Sequence, residues 1–241
     1  MPNSDLNFSF NIDTWLAHSY GLALPEEWQQ WSQTLQWPVD GKAQVSAIPA
    51  MMRRRMSSLS KLAVQTSIEL LEQHDVDYLV FASRHGELAR SAKLIEEIIS
   101  GEDASPMAFS QSVHNTAAGL ATIATKKPIP LTSIAASDNT FQSALIEAWL
   151  YLNTHPNSKV MVIDFDEPLP EVYSQYEEQD FQGYALGLIL SSGNAISISN
   201  QPTDSATTPS FPQGLDFIRH YISDAPSWHI DSHKQTWVWQ R

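Results

Sequence analysis

The stretch Ser133 to Leu152 contains the residues of this chain that are best placed for nucleophilic chemistry. A short strand is predicted to end near Ala135, and a helix is predicted to begin at Ser137 or Asp138 after a turn through small residues. Backbone amides converge at the start of such a helix, where α/β enzymes often place a nucleophile or bind an anion. Ser137 could act as the nucleophile with His114 as its base. The alternative is that Ser137 only caps the helix.

Two further groups of polar residues are of the types that bind metal ions. His229 and His233 are four residues apart, with Asp231 between them, and would share one face of a helix. The flanking sequence favours a strand rather than a helix, and no third ligand is evident. We therefore expect no metal site there.

A second candidate for a metal site is the acidic end of a predicted strand. Asp164, Asp166 and Glu167 follow an apolar run, and carboxylates at the C-terminal end of a parallel strand can bind Mg²⁺. No Gly-rich segment accompanies them to bind a phosphate, so a solvated turn is the expectation. We predict neither a metal nor a cofactor for this chain.

The composition excludes several classes of function. The 241 residues are 42% apolar and 10% aromatic, which is enough for a sizeable core. The 14 basic and 27 acidic residues give a net charge of −13, which argues against nucleic acid or an anionic membrane as the main partner. The absence of cysteine excludes disulfides and thiol nucleophiles. No apolar run is long enough to span a membrane, and the first twenty residues lack the basic charge of a signal peptide. We expect a cytoplasmic protein.

The hydrophobic periodicity predicts alternating strands and helices. Residues 1–40 look irregular apart from a helix that begins at Pro25, residues 42–48 could form a weak strand, and residues 201–212 look like a loop. Gly193-Asn194 is predicted to form a hairpin turn, and Ser110 could cap a helix. The order predicts an α/β fold, a mixed sheet with helices on both faces. The predicted strands are 76–82, 129–135, 159–165, 184–191, 195–199 and 236–239, and the predicted helices are 56–74, 87–100, 110–125, 137–152 and 215–222.

Five segments resemble, in the same order, motifs of the β-ketoacyl synthases of the thiolase superfamily. Residues 133–137 resemble the nucleophile elbow Thr-Ala-Cys-(Ala/Thr)-Ser, with Ala135 in place of the cysteine. The others are 82–88, similar to Gly-Ser-Gly-Ile-Gly-Gly-Leu; 104–119, similar to the segment from Ile-Ser-Pro to Ala-Gly; and the strands 159–164 and 183–190. The resemblance covers about residues 44–200. It implies a single domain over residues 1–241 with the fold of the N-terminal half of a thiolase-like protein, followed by the 201–212 loop and a C-terminal helix and strand over 213–241.

The resemblance also implies that this chain lacks the family's catalytic groups. Ala135 cannot accept an acyl chain, and none of the eight histidines lies in a motif for the two basic residues that the family carries on its C-terminal half. The chain is similar to chain-length factors, the inactive partners of ketosynthases in type II polyketide assembly. It resembles above all the truncated ketosynthase-like protein of aryl polyene biosynthesis. We therefore expect a heterodimer, or a higher heteromer, with a full-length β-ketoacyl synthase, with acyl carrier protein contacted only indirectly.

The same resemblance implies which residues face the partner. Met107 and Ala108, followed by Phe109, fall where the family lines the tunnel end across the dimer, and His85 replaces a tunnel-lining isoleucine. The strand 129–135 would pair antiparallel with its counterpart in the partner. The expected tunnel and interface residues are His85, Met107, Ala108, Phe109, Ile129, Leu131 and Ile134. Arg53 to Arg55 would dock either the carrier protein or the partner subunit.

Two alternatives remain open from the sequence. One is an acyl hydrolase or transferase that uses Ser137 with His114, and the other is a free-standing acyl-binding scaffold protein. Without a C-terminal half, the elbow helix is expected to leave apolar surface uncovered, although the residues after 213 could cover part of it.

Overall fold

The computed structural model describes residues 6–203, 209–233 and 235–241. These ranges contain seven strands, eight α-helices and two 3₁₀ turns, at Ser137–Asn139 and Glu171–Tyr176. In chain order the elements are β1 (Asn7–Ser19), α1 (Pro25–Thr34), α2 (Ala50–Arg53), α3 (Ser58–Gln73), β2 (Tyr78–Ala82), α4 (Leu88–Ile99), α5 (Pro106–Ser110), α6 (Thr116–Thr125), β3 (Leu131–Ile134), α7 (Thr140–Thr154), β4 (Lys159–Asp166), β5 (Tyr184–Pro202), α8 (Gln213–Ile222), β6 (Ser227–Ser232) and β7 (Gln235–Gln240).

The strands form one mixed sheet in the order β3-β2-β4-β5-β7-β6, and β1 pairs with the other edge of β5. β2 runs parallel to β3 and β4, whereas β5 runs antiparallel to β4, β7 and β1. Helices α3 and α6 pack on one face of the sheet, and α1, α7 and α8 on the other. The predicted α/β class, a mixed sheet with helices on both faces, is confirmed. Within the described ranges no helix is long and apolar enough to cross a membrane.

β5 is a single strand of 19 residues, so the predicted hairpin at Gly193-Asn194 is wrong. The Asn11 side chain on β1 donates to the Ser192 carbonyl and accepts from the Ala195 amide, each at 3.2 Å. These bonds hold β5 extended where the sequence suggests a turn. The irregular N-terminus predicted from the sequence is also wrong, because β1 pairs along most of β5. Its pairing partner lies far away in the chain, so no local pattern indicates this strand.

Several element boundaries differ from the prediction. Residues 42–48 form no strand: an isolated β-bridge joins Ala43 to Tyr20, and the pairing does not continue along the segment. The predicted helix 110–125 is wrong in its first half: Ser110 ends the short α5, and α6 begins only at Thr116, with Asn115 rather than Ser110 at its N-cap. β3 begins two residues after Ile129, β5 extends into the predicted 201–212 loop, and β6 was not predicted. Residues 204–208 of that loop lie outside the described ranges.

Helix α7 is covered over much of its apolar surface by the C-terminal elements, as the sequence left open, and Leu150 on this helix stays half-exposed. The Phe141 ring lies 5.4 Å from that of Phe217 on α8 and 6.3 Å from that of Trp239 on β7. Trp239 also stacks on Trp228 of β6, with ring centroids 5.4 Å apart. The α8–β6–β7 unit therefore closes the core above α7.

We expect Trp239→Ala to lower the free energy of unfolding by about 3–5 kcal/mol, because the ring is fully buried and its removal leaves a cavity. Urea denaturation followed by circular dichroism measures this loss. Val238→Ala, on the opposite face of β7 and only half-buried, is the matched control. A loss for Trp239→Ala no greater than that of the control would contradict this packing.

Candidate functional site

The elbow, residues 135–139, connects β3 to α7. Ala135 is exposed, and the left-handed residue of the turn is Ser137, with φ of 52°. A positive φ is uncommon for a residue other than glycine and marks a sharp turn. The sharpest point of the elbow therefore lies two residues beyond Ala135, the position that the motif matches to the family's cysteine.

Neither Ser137 nor Asp138 caps α7, so this prediction is wrong. The Thr140 hydroxyl closes the turn instead, since it donates to the Ser137 carbonyl at 2.7 Å and accepts from the Ala136 amide at 2.9 Å. His114 does not pair with Ser137, because its Nε2 lies 2.8 Å from the Ser83 carbonyl oxygen and donates there. The Ser137 hydroxyl forms no hydrogen bond with any residue that the structure describes.

A small cavity lies behind the elbow, between the ends of β2 and β4 and the start of α8. Its volume is about 30 Å³, which is room for one or two water molecules. The side-chain amide of Gln213 leaves its buried Oε1 without a partner on this wall. Its lining includes Arg84, His85, Ser137, Asp166, Tyr184 and Gln213.

Two carboxylates on β4 lie at this cavity. Asp164 and Asp166 are both buried, so the solvated turn predicted for them is wrong. The Tyr184 hydroxyl donates to Asp164 at 2.6 Å. A Cβ at Gly214 would come within 2.1 Å of Asp164 Oδ2, so only glycine lets the first turn of α8 approach so closely. The described residues contain no cluster of three or more potential metal ligands.

Burial controls the ionisation of these groups. Burial raises the pKa of Asp164 well above its ordinary value, and the neighbouring charge of Asp166 raises it further. Burial also raises the pKa of Asp166, to about 6, although hydrogen bonds from Ser83 and Arg84 oppose this shift. Partial burial of its ring, together with the adjacent Arg84 guanidinium, lowers the pKa of His85. The cavity therefore presents a neutral imidazole near pH 7.

The turn after β2, residues 83–86 (the β2 turn), wraps around Asp166. The Ser83 hydroxyl donates to Asp166 Oδ1 at 2.8 Å, and the Arg84 amide donates to Oδ2 at 2.9 Å. Arg84 then extends across the elbow, where its Nη2 lies 3.0 Å from Asp138 Oδ1. An ion pair thus joins the β2 turn to the elbow.

The predicted interface residues lie at two places outside the elbow cavity. Met107 and Phe109 on α5 are 50% and 66% exposed, and Ala108 between them is half-buried. Leu131 and Ile134 are the half-buried first and last residues of β3, an edge strand of the sheet. Of the predicted tunnel residues, only His85 lines the elbow cavity. The interface roles of His85, of the α5 residues and of the β3 residues stay predictions.

The remaining sequence candidates lie apart from the elbow. His229 and His233 are four residues apart on β6 and the turn after it, which separates them by roughly 13 Å, too far to share a metal ion. Arg53, Arg54 and Lys61 line an open groove of about 560 Å³ with Tyr20. Within the described part of the chain, none of these three cations forms an ion pair.

Sequence reasoning did not find the polar network that anchors the elbow. Asn139 accepts from Trp237 Nε1 at 2.8 Å and from Gln213 Nε2 at 3.3 Å, which ties the start of α7 to β7 and α8. The sequence did carry a signal for Asp164 and Asp166. Two aspartates on the same side of an apolar strand indicate buried carboxylates, which need hydrogen-bond partners. No pattern in the sequence identifies those partners.

A mixed sheet whose edge strand enters a buried helix through a sharp elbow is the arrangement of ketosynthase-like proteins with a thiolase-like fold. Residues 28–240 match the family model described as beta-ketoacyl synthase, N-terminal domain. The chain therefore belongs to this family, as its motifs predict.

Comparison with solved structures agrees with this family assignment. The chain is 34% identical to a chain of the complex of the ketosynthase ApeO with its chain length factor ApeC from Xenorhabdus doucetiae, with a TM-score of 0.89 over 97% of this chain and 99% of that one. Two less similar structures share the fold. One is the ishigamide ketosynthase/chain length factor, which is 14% identical with a TM-score of 0.63 over 80% of this chain and 67% of that one. The other is a beta-ketoacyl synthase from Burkholderia phymatum, which is 13% identical with a TM-score of 0.59 over 91% of this chain and 71% of that one. No curated protein matches the sequence.

The raised pKa of Asp164 predicts how Asp164→Asn changes with pH. The folded state holds this proton more tightly than the unfolded chain, so wild-type stability decreases as the pH rises above about 4. Asparagine has no proton to lose, so the variant should gain stability relative to wild type between pH 5 and pH 8. Urea denaturation across this range measures the difference, with exposed Asp180→Asn as the control. A difference that does not change with pH would contradict burial of an ionisable Asp164.

Proposed function

We propose that this chain is a non-catalytic chain-length factor. It would form a heterodimer with an active β-ketoacyl synthase of type II polyketide or aryl polyene biosynthesis and shape the acyl tunnel of that enzyme. The observation that carries this proposal is the 34% identity with a chain of the ApeO–ApeC complex, over nearly the full length of both chains.

The distribution of exposed apolar side chains supports a protein partner. Among the described residues, half of the exposed large apolar side chains fall within residues 88–125, which is about a sixth of the chain. Complete burial of such a side chain from full exposure contributes roughly 1.5–3 kcal/mol. Because these side chains are already partly buried, an interface would add only part of that contribution for each. β3 adds an edge strand with backbone groups free to pair on one side. The surface from α4 to β3 therefore suits a partner subunit. The members of the apolar group are Ile95, Ile98, Ile99, Met107, Phe109, Val113 and Ile123.

The elbow supports the absence of catalysis. The 241 residues contain no cysteine, and the Ser137 hydroxyl contacts no base among the described residues. The cavity of about 30 Å³ behind Ser137 is too small for an acyl chain. A ketosynthase requires both a nucleophile and space for its substrate. In the proposed complex, the partner would perform the reaction and this chain would form part of the wall.

We expect Phe109→Ala and Met107→Ala to lengthen the products of the complex reconstituted with its ketosynthase. Large apolar side chains fill volume, so their truncation deepens a pocket that they end. Mass spectrometry of the released products measures the shift. Size-exclusion chromatography of the co-expressed proteins first establishes that the complex assembles.

Val172→Ala is the matched control, because Val172 is a similarly exposed apolar residue outside the 88–125 segment. It should leave the products unchanged. Products of unchanged length from assembled Phe109 and Met107 variants would remove these two residues from the role. Failure of the wild-type chain to assemble with any ketosynthase would overturn the proposed function itself.

Restoration of a thiol should not create a ketosynthase. Neither Ala135→Cys nor Ser137→Cys should condense acyl units in the isolated chain, because the elbow offers neither a base nor room for an acyl chain. The assay is condensation of acyl-loaded carrier protein, with the active ketosynthase as positive control. Condensation by either variant alone, or labelling of wild-type Ser137 by a fluorophosphonate, would contradict the inactive role.

A further inference from the structure

The Asp166 carboxylate is the centre of a set of hydrogen bonds that fixes the β2 turn. Besides the Ser83 hydroxyl and the Arg84 amide, the His85 amide donates to Oδ1 at 3.4 Å. The turn closes on itself, because the Gly86 amide donates to the Ser83 hydroxyl at 2.7 Å. Three consecutive residues of the turn are thus oriented by one buried carboxylate.

The opposite side of the β2 turn is fixed as well. Gly86 has φ of +55°, and a Cβ there would lie 2.9 Å from the His114 ring, so a larger residue does not fit. His114 in turn donates to the Ser83 carbonyl. The turn therefore has a defined conformation, and the Arg84 and His85 side chains are directed by it.

These two side chains line the elbow cavity on the side of the β2 turn. Arg84 crosses to Asp138, next to Ser137, in an ion pair that is about seven-tenths buried. His85 lines the same cavity and forms no side-chain hydrogen bond with any described residue. Together with the other lining residues they leave about 30 Å³ behind Ser137.

We propose that Asp166 is a positioning residue for product length: by holding the β2 turn, it places Arg84 and His85 as a plug that keeps the acyl chain out of the elbow. This inference rests on the proposed function. Because the plug is polar and the carboxylate beneath it is buried, an apolar chain gains nothing by entering unless the turn moves. The growing chain is then confined to the side of the tunnel that α5 lines.

The test uses the reconstituted ketosynthase complex with Asp166→Asn and Ser83→Ala, which weaken the same set of bonds at its two ends. Both should shift the product distribution upward by at least one extension unit, with turnover per complex unchanged within about twofold. Arg84→Ala removes one of the two plug side chains but not the backbone bonds to Asp166, and it should shift the products in the same direction.

Ser67→Ala is the matched control for Ser83→Ala. Ser67 is equally buried, and its hydroxyl donates to the Ala63 carbonyl within α3, remote from the elbow. It should leave the products unchanged. If the assembled Ser83 variant gives wild-type products, or if Ser67→Ala gives the same shift, the proposal is overturned.

Hydrogen exchange on the isolated chain gives a readout that does not require the partner. The Arg84 and His85 amides should exchange about tenfold faster or more in Ser83→Ala than in wild type, while amides of α3 stay unchanged. Unchanged exchange at these two amides would also overturn the proposal. If the Phe109 and Met107 variants change the product length but the Asp166 and Ser83 variants do not, only this inference fails and the proposed function stands.

Discussion

The structure depends on the enclosure of α7, a helix that is apolar on most of its sides. Its Phe141, Leu145, Ala148 and Leu152 are all buried. A helix of this kind is stable only when other elements surround it, because each exposed apolar side chain would forfeit its transfer free energy. The sheet covers one side, and α8 with the β6–β7 hairpin covers the other. The length of β5 follows from this requirement, since its second half pairs with β7 and so carries the hairpin over α7.

The same enclosure determines the character of the elbow. Gln213 and Trp237 of the covering unit bond to Asn139 at the start of α7. Asp164 and Asp166 lie beneath, where removal of a carboxylate from water carries a large cost that hydrogen bonds must offset. The space behind the elbow is therefore filled by the groups that form these hydrogen bonds: Tyr184 donates to Asp164, and the β2 turn donates to Asp166. Little volume remains for a substrate.

The surface of the molecule has the apolar area and the free strand edge that a protein partner needs, whereas the elbow has little space for a substrate. In this chain the elbow serine contacts no base among the described residues, and exposed apolar side chains cluster on α4, α5 and α6 instead. Chemistry at the elbow would require room and a nucleophile, whereas association requires apolar area and a free strand edge. The molecule has the apolar area and the free strand edge in the described sheet, which agrees with a subunit that shapes the cavity of another protein.

The sequence by itself determined the α/β class and, apart from the short α5, the order of the central elements from α3 to β4, because these follow from local periodicity. The family follows from its motifs, and the absence of a thiol follows from the residue types. Only the tertiary structure decided that β1 is a strand, that β5 does not turn at Gly193, and that α7 is covered from the C-terminal side. It also decided that Ser137 is the left-handed residue of the elbow and that Asp166 binds the turn after β2. These features arise from contacts between segments that are far apart in the chain, and the residues on one side carry no local signal of the partners they will meet.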